Sequence, residues 1–150
     1  MPFLIGINNV PLEGRDTKKT VMMTEEMKSH FMNLYNMVLA DGNVKPEELV
    51  KVYTIGLRHG VSPAEFNQLL LSPVSATLPD TLEKKVNCLY DLCEIILADG
   101  DIDPNEIAAL KRYCTLFGFD EENANSIADF MIDRVKQGKS LESIITEVMN

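Results

Sequence analysis

The sequence predicts an all-α protein: a single-domain bundle of about seven helices built from two pseudo-symmetric helix–turn–helix repeats. Three observations lead there. Apolar residues recur at helical spacing, as in Met27, Phe31, Leu34, Tyr35 and Val38. Helix-start chemistry returns at four junctions, near residues 46, 63, 104 and 121. The stretch Leu39-Ala40-Asp41-Gly42-Asn43-Val44-Lys45-Pro46-Glu47-Glu48 recurs as Leu97-Ala98-Asp99-Gly100-Asp101-Ile102-Asp103-Pro104-Asn105-Glu106. The shared register runs past the motif, aligning Leu34 with Leu92, Val38 with Ile96, Leu49 with Ile107 and Gly60 with Gly118. A register kept this long points to an internal duplication.

Residues 1–23 carry Pro2, Gly6, Pro11 and Gly14 with little periodicity, and are expected to form an arm, extended over 3–7 and otherwise flexible. The helical domain follows over 24–150, with repeat one at about 24–71 and repeat two at about 81–136. Thr24 caps the first helix, and Glu25 and Glu26 stand at the positive end of its dipole. That helix is expected to reach about Ala40, with Gly42 supplying the left-handed residue that closes it. Proline then occupies the first helical position three times, at Pro46, Pro63 and Pro104, where its missing N–H costs nothing. Val44 with Leu49, Ile102 with Ile107 and Val61 with Phe66 have the spacing of hydrophobic staples. Ser62 with Glu65 and Asp103 with Glu106 read as capping boxes, whereas Lys45 is a poor cap. The segment 72–80, with two prolines, links the halves. Leu82, Val86, Leu89, Cys93 and Ile96 mark a long helix into the second motif. Asp120 opens a helix running from Glu121 to about Lys136, Gly138 breaks it, and Ser140 caps a last helix over 140–149.

The totals narrow the function classes. A net charge of −9 over 150 residues disfavours nucleic acid and anionic membrane surfaces, which attract basic proteins. No apolar run has the length of a membrane span, and the first residues lack the pattern of a signal peptide. Cys88, Cys93 and Cys114 are an odd set without paired metal-ligand spacing, which fits free thiols in a reducing compartment such as the cytoplasm. No phosphate loop and no nucleophile elbow is present, so an enzyme is not expected.

Chemistry concentrates in the repeated motif. Asp99-x-Asp101-x-Asp103 invites comparison with an EF-hand loop, but Pro104 stands where that loop needs glycine and Leu110 where it needs glutamate. Asp99 ends one helix and Glu106 begins the next, so a short turn brings their carboxylates together, with Asp101 and Asp103 adding charge. Oxygen ligands without histidine or thiolate favour calcium or magnesium. The alternative assigns the same residues to turn and cap duty, Asp99 bonding its own turn and Asp103 capping the helix. Asp91 and Glu94, where the first copy has Asn33 and Asn36, add to the acidic cluster of the cation reading, or else form a solvated acidic face. His30 and His59 have no ligand partner at a readable spacing, so structural or surface roles are expected. Met22, Met23, Met27, Met32 and Met37 fill a core or make an adaptable partner surface.

On Ala40-Asp41-Gly42 with Glu48 and Ala98-Asp99-Gly100 with Glu106, each on a helix–turn–helix, the chain resembles the TerB-like proteins of the bacterial tellurite-resistance group over roughly 24–150. The resemblance implies an all-α fold and non-enzymatic work in a cytoplasmic stress or metal-ion response. It also implies a divalent-cation role for Asp41, Glu48, Asp99 and Glu106. Asn43 and Lys45 depart from the acidic pattern in the first copy. Two functions follow as expectations: a protein that binds or senses a divalent cation, or a helical module that docks another protein while the Asp-Gly turns serve structure alone.

Overall fold

The computed structural model describes residues 23–40 and 42–150, so residues 1–22 of the expected N-terminal arm and Asp41 lie outside the described residues. Among these residues there are seven helices and no strand: α1 (Glu25–Val38), α2 (Pro46–Arg58), α3 (Pro63–Leu71), α4 (Leu82–Ile96), α5 (Pro104–Leu116), α6 (Glu121–Lys136) and α7 (Leu141–Met149). The four proline- or acid-marked helix starts fall at Pro46, Pro63, Pro104 and Glu121, as the sequence predicts. α1 stops two residues earlier than expected, at Val38.

The helix ends show why these segments start and stop where they do. Thr24, Thr81, Asp120 and Ser140 each accept a backbone N–H from the residue three positions on, satisfying donors that a helix cannot pair internally. Ser62 and Glu65 form the expected reciprocal capping box. The second expected box does not form: Asp103 accepts from Asn105 N–H at 2.7 Å, and Glu106 is turned into the interior. Two expected staples also fail, for Val44 and Ile102 stand 50% and 38% exposed, while Val61 is buried with Phe66.

The two motif copies share their local backbone. Leu39 and Leu97 close their helices at φ −89°, with ψ −2° and −1°. Gly42 and Gly100 then reverse the chain at φ 84° and 85°, a region that costs a side-chain-bearing residue energy. Lys45 and Asp103 enter the next helices at ψ 128° and 127°.

α4 is the centre of the packing, touching α1, α2, α5, α6 and α7. Its buried positions, Val86, Cys88, Leu89, Leu92, Cys93, Ile95 and Ile96, cover about half of its circumference, wider than the apolar stripe of an ordinary surface helix. Phe31, Leu34, Met37 and Val38 from α1, Val52 and Ile55 from α2, and Leu110 and Cys114 from α5 complete the core around it. Each fully buried leucine or isoleucine here stabilises the fold by about 1.5–3 kcal/mol relative to exposure. One exception stands in α4's buried surface. Asp91, expected on a solvated face, is 1% exposed.

Candidate functional site: a carboxylate junction and a histidine–aspartate cluster

The turns of the two motifs bring their acidic residues to one place. Glu48 enters from the first turn of α2 and Glu106 from the first turn of α5, and both are wholly buried. No N–H or hydroxyl among the described residues hydrogen-bonds either oxygen of Glu48, and the Glu106 carboxyl lies beside it. Lys45 sits at the focus of the group. Its Nζ lies 3.6 Å from Asp99 Oδ2, 3.7 Å from Asp103 Oδ2, 3.9 Å from Glu106 Oε1 and 4.0 Å from Glu48 Oε2. These separations exceed the 2.7–2.9 Å or so of a charge-assisted hydrogen bond, so the attraction of the ammonium to these four carboxylates is spread over all of them.

Burial raises the proton affinity of Glu48 well above the usual carboxylate range, and the Glu106 carboxyl beside it pushes the same way. The charge of Lys45 opposes this without cancelling it. Asp99 accepts Asp101 N–H at 3.0 Å and Asp103 accepts Asn105 N–H, so both also serve their own turns. Asp101 is exposed, and Asp41 lies outside the described residues. Of the six residues singled out from the sequence, the fold therefore gathers Glu48, Asp99, Asp103 and Glu106 around one cationic position and leaves Asp101 at the rim. The donor set suits a hard divalent ion, since all its atoms are carboxylate oxygens. The lysine is the part that does not suit it.

A second cluster was not expected. His30 from α1 and His59, which caps the end of α2, both direct Nε2 at Asp91 Oδ2 of α4, at 2.7 Å and 3.1 Å. Arg58 takes the other oxygen, Nη2 donating to Asp91 Oδ1 at 2.6 Å and to Glu94 Oε1 at 2.7 Å. Burial alone would push the Asp91 carboxyl up, but the hydrogen bonds from His30 and His59 and the charge of Arg58 outweigh it, holding the group at about 2. Phe31 packs edge-on against both imidazoles, with ring centroids 5.4 Å and 6.0 Å away. Linear spacing could not reveal three residues delivered by three helices. One signal was present: Asp91 lies three residues after Cys88 and four before Ile95, on a stripe that is otherwise apolar.

Cys88, Cys93 and Cys114 are all buried and unpaired by disulfides, and burial pushes each thiol up, Cys114 to about 12. Among the described residues, no helix is long and apolar enough to cross a membrane.

Among the described residues the protein is all-helical, and the helices that follow its two glycine turns bring one buried glutamate each toward a common point. Residues 73–129 match the family model of tellurite resistance protein TerB, a stretch that takes in most of the linker, α4, α5 and the first part of α6. The matched region holds the second motif copy and Asp91, while Lys45, Glu48 and both histidines lie outside it. No curated protein and no solved structure matches the chain.

Proposed function

We propose that this is a non-enzymatic TerB-like protein that binds a divalent cation of the calcium or magnesium type between its two Asp-Gly turns. Glu48, Asp99, Asp103 and Glu106 would be the ligands, with Asp41 as a further carboxylate of the first turn. One observation carries the reading: two fully buried glutamates, one from each motif copy, converge on a single cationic position. A buried carboxylate without a compensating charge costs several kcal/mol or so, and positive charge at this position removes that cost. In the metal-free protein Lys45 supplies part of it, and the raised proton affinity of Glu48 offsets the rest. A cation entering the junction would displace the ammonium toward solvent, where the side chain is already 23% exposed, and would draw the oxygens inward to about 2.3–2.6 Å for calcium. The family match supports placing this binding in a bacterial tellurite-resistance-type or related stress response. The buried free thiols fit a cytoplasmic setting.

The ammonium's own position favours a second reading. If Lys45 is a permanent counterion, the junction is purely structural, and the chain works as a helical module that docks another protein. Val50 and Leu57, 61% and 63% exposed on α2, would then belong to its docking face.

Thermal melting and calorimetric titration with calcium, magnesium and EDTA separate the two. Cation binding to the native state must raise the melting temperature. Lys45→Asn, which removes the competing charge, is expected to tighten binding, and Glu106→Gln to weaken it. A melt unchanged by millimolar calcium and magnesium in both the wild type and Lys45→Asn overturns the cation reading and leaves the structural one.

A further inference from the structure

The histidine–aspartate cluster has the composition, reach and surroundings of a transition-metal site. His30 Nε2, His59 Nε2 and a carboxylate oxygen of Asp91 lie within 4.8 Å of one another. Three different elements supply them, so their separation is set by helix packing rather than by a mobile loop. Both imidazoles already point at one oxygen, and Phe31 restrains the two rings from the side. The other Asp91 oxygen is held by Arg58, whose charge is shared with Glu94. That leaves Oδ2 available and the carboxylate fixed in orientation, the arrangement by which outer partners commonly aim a metal ligand.

The geometry is close to that required. Ligands about 2.0–2.2 Å from a tetrahedral zinc stand roughly 3.4 Å apart. The present nitrogen–oxygen separations of 2.7 Å and 3.1 Å would open by less than an ångström or so, within reach of small side-chain rotations. The two histidines are 13% and 20% exposed in their side chains, so an ion has a way in.

A cavity of about 280 Å³ adjoins the cluster, with His30, His59, Asn33, Asn87 and Cys88 among its walls. Asn87 Oδ1 is buried beside it with no hydrogen-bond partner among the described residues. The cavity therefore offers both the space for a fourth ligand and a polar acceptor near it. Two imidazoles and one carboxylate favour zinc-type ions over calcium or magnesium, which prefer all-oxygen sets.

We propose that His30, His59 and Asp91 form a binding site for a zinc-type divalent ion, with water or a small anion completing its coordination from the adjoining cavity. This site is separate in residues and in ion preference from the carboxylate junction, and neither depends on the other.

Cobalt(II) titration of the metal-free full-length chain tests it, read by visible absorption and by calorimetry. The expected result is one ion per chain, an absorption band characteristic of four-coordinate cobalt, and displacement of that band by zinc. Excess calcium or magnesium should leave the band in place, which distinguishes this site from the junction. His59→Gln, at the partly exposed end of α2, is expected to weaken cobalt and zinc binding by more than about tenfold while circular dichroism shows the helices retained. His30→Gln should do the same. Absence of the cobalt band, or equal affinity in a folded His59→Gln protein, overturns the proposal.

Discussion

The two copies of the Asp-Gly motif agree in backbone angle at three aligned positions and differ in the sign of charge at one of them. Leu39 and Leu97, Gly42 and Gly100, and Lys45 and Asp103 agree in the backbone angles that shape the turn. Yet the residue before Pro46 is a lysine and the residue before Pro104 an aspartate. The shape of such a turn depends on glycine's left-handed conformation and on proline at the helix start, not on the residue between them. That residue was thus free to change sign, and in the first copy its ammonium now sits among carboxylates drawn from both. The copies part company again one helix back. Asn33 and Asp91 occupy aligned positions, are both buried, and only Asp91 gathers two histidines and an arginine.

The strongest test of the comparison is at the core. Leu34→Ala and Leu92→Ala remove aligned, wholly buried side chains, and each is expected to cost about 2–5 kcal/mol in urea unfolding. A loss at one position and not the other would break the structural correspondence of the copies. Next comes the position where they diverge. With EDTA present, Asp91→Asn should cost about 2–3 kcal/mol at neutral pH. Because the folded Asp91 carboxyl is held below its unfolded value, its contribution is present above the unfolded value and is lost as pH falls toward about 2. Denaturant midpoints of wild type and variant should therefore converge in acid.

Smaller effects are expected at the turns. Gly42→Ala and Gly100→Ala meet no atom within 4 Å of the new methyl, so backbone strain alone should cost about 1–2 kcal/mol, equally in the two copies. The smallest effect has the opposite sign. Glu48 holds its proton more tightly when folded, so its contribution is present below the unfolded value and is lost as pH rises through the folded one. Glu48→Gln in metal-free protein should therefore stabilise by about 1 kcal/mol at pH 8 and hardly at all at pH 4, read by thermal melting. A variant less stable at pH 8 would mean that the ionised carboxylate is what Lys45 requires.

The fold was legible because its signals are local. Thr24, Ser62, Asp120 and Ser140 cap helices where the sequence places them, and the Gly42 and Gly100 reversals follow from glycine's own freedom. Reading failed where one residue had two local roles to choose from. Glu106 has the spacing to reach back to its cap, but burial turns it inward instead, and Asp103 caps without it. Val44 and Ile102 have staple spacing, but nothing in spacing says that the turn leans them toward solvent. Glu48 and Glu106 could be named from the motif, whereas their convergence on Lys45 is a tertiary fact. His30, His59 and Asp91 are farther from legibility still, since each comes from a different helix and only packing brings them within bonding distance.

The three cysteines have a practical consequence. With each thiol buried and its ionisation suppressed, the native state presents almost no thiolate to an alkylating or oxidising reagent. Reaction at Cys93 of α4 or at Cys114 of α5 must wait until that part of the bundle opens, whereas Cys88 borders the cavity beside the histidines. The chain thus carries its own stopwatch: the labelling rates of Cys93 and Cys114, with and without added ions, report how often their surroundings come apart.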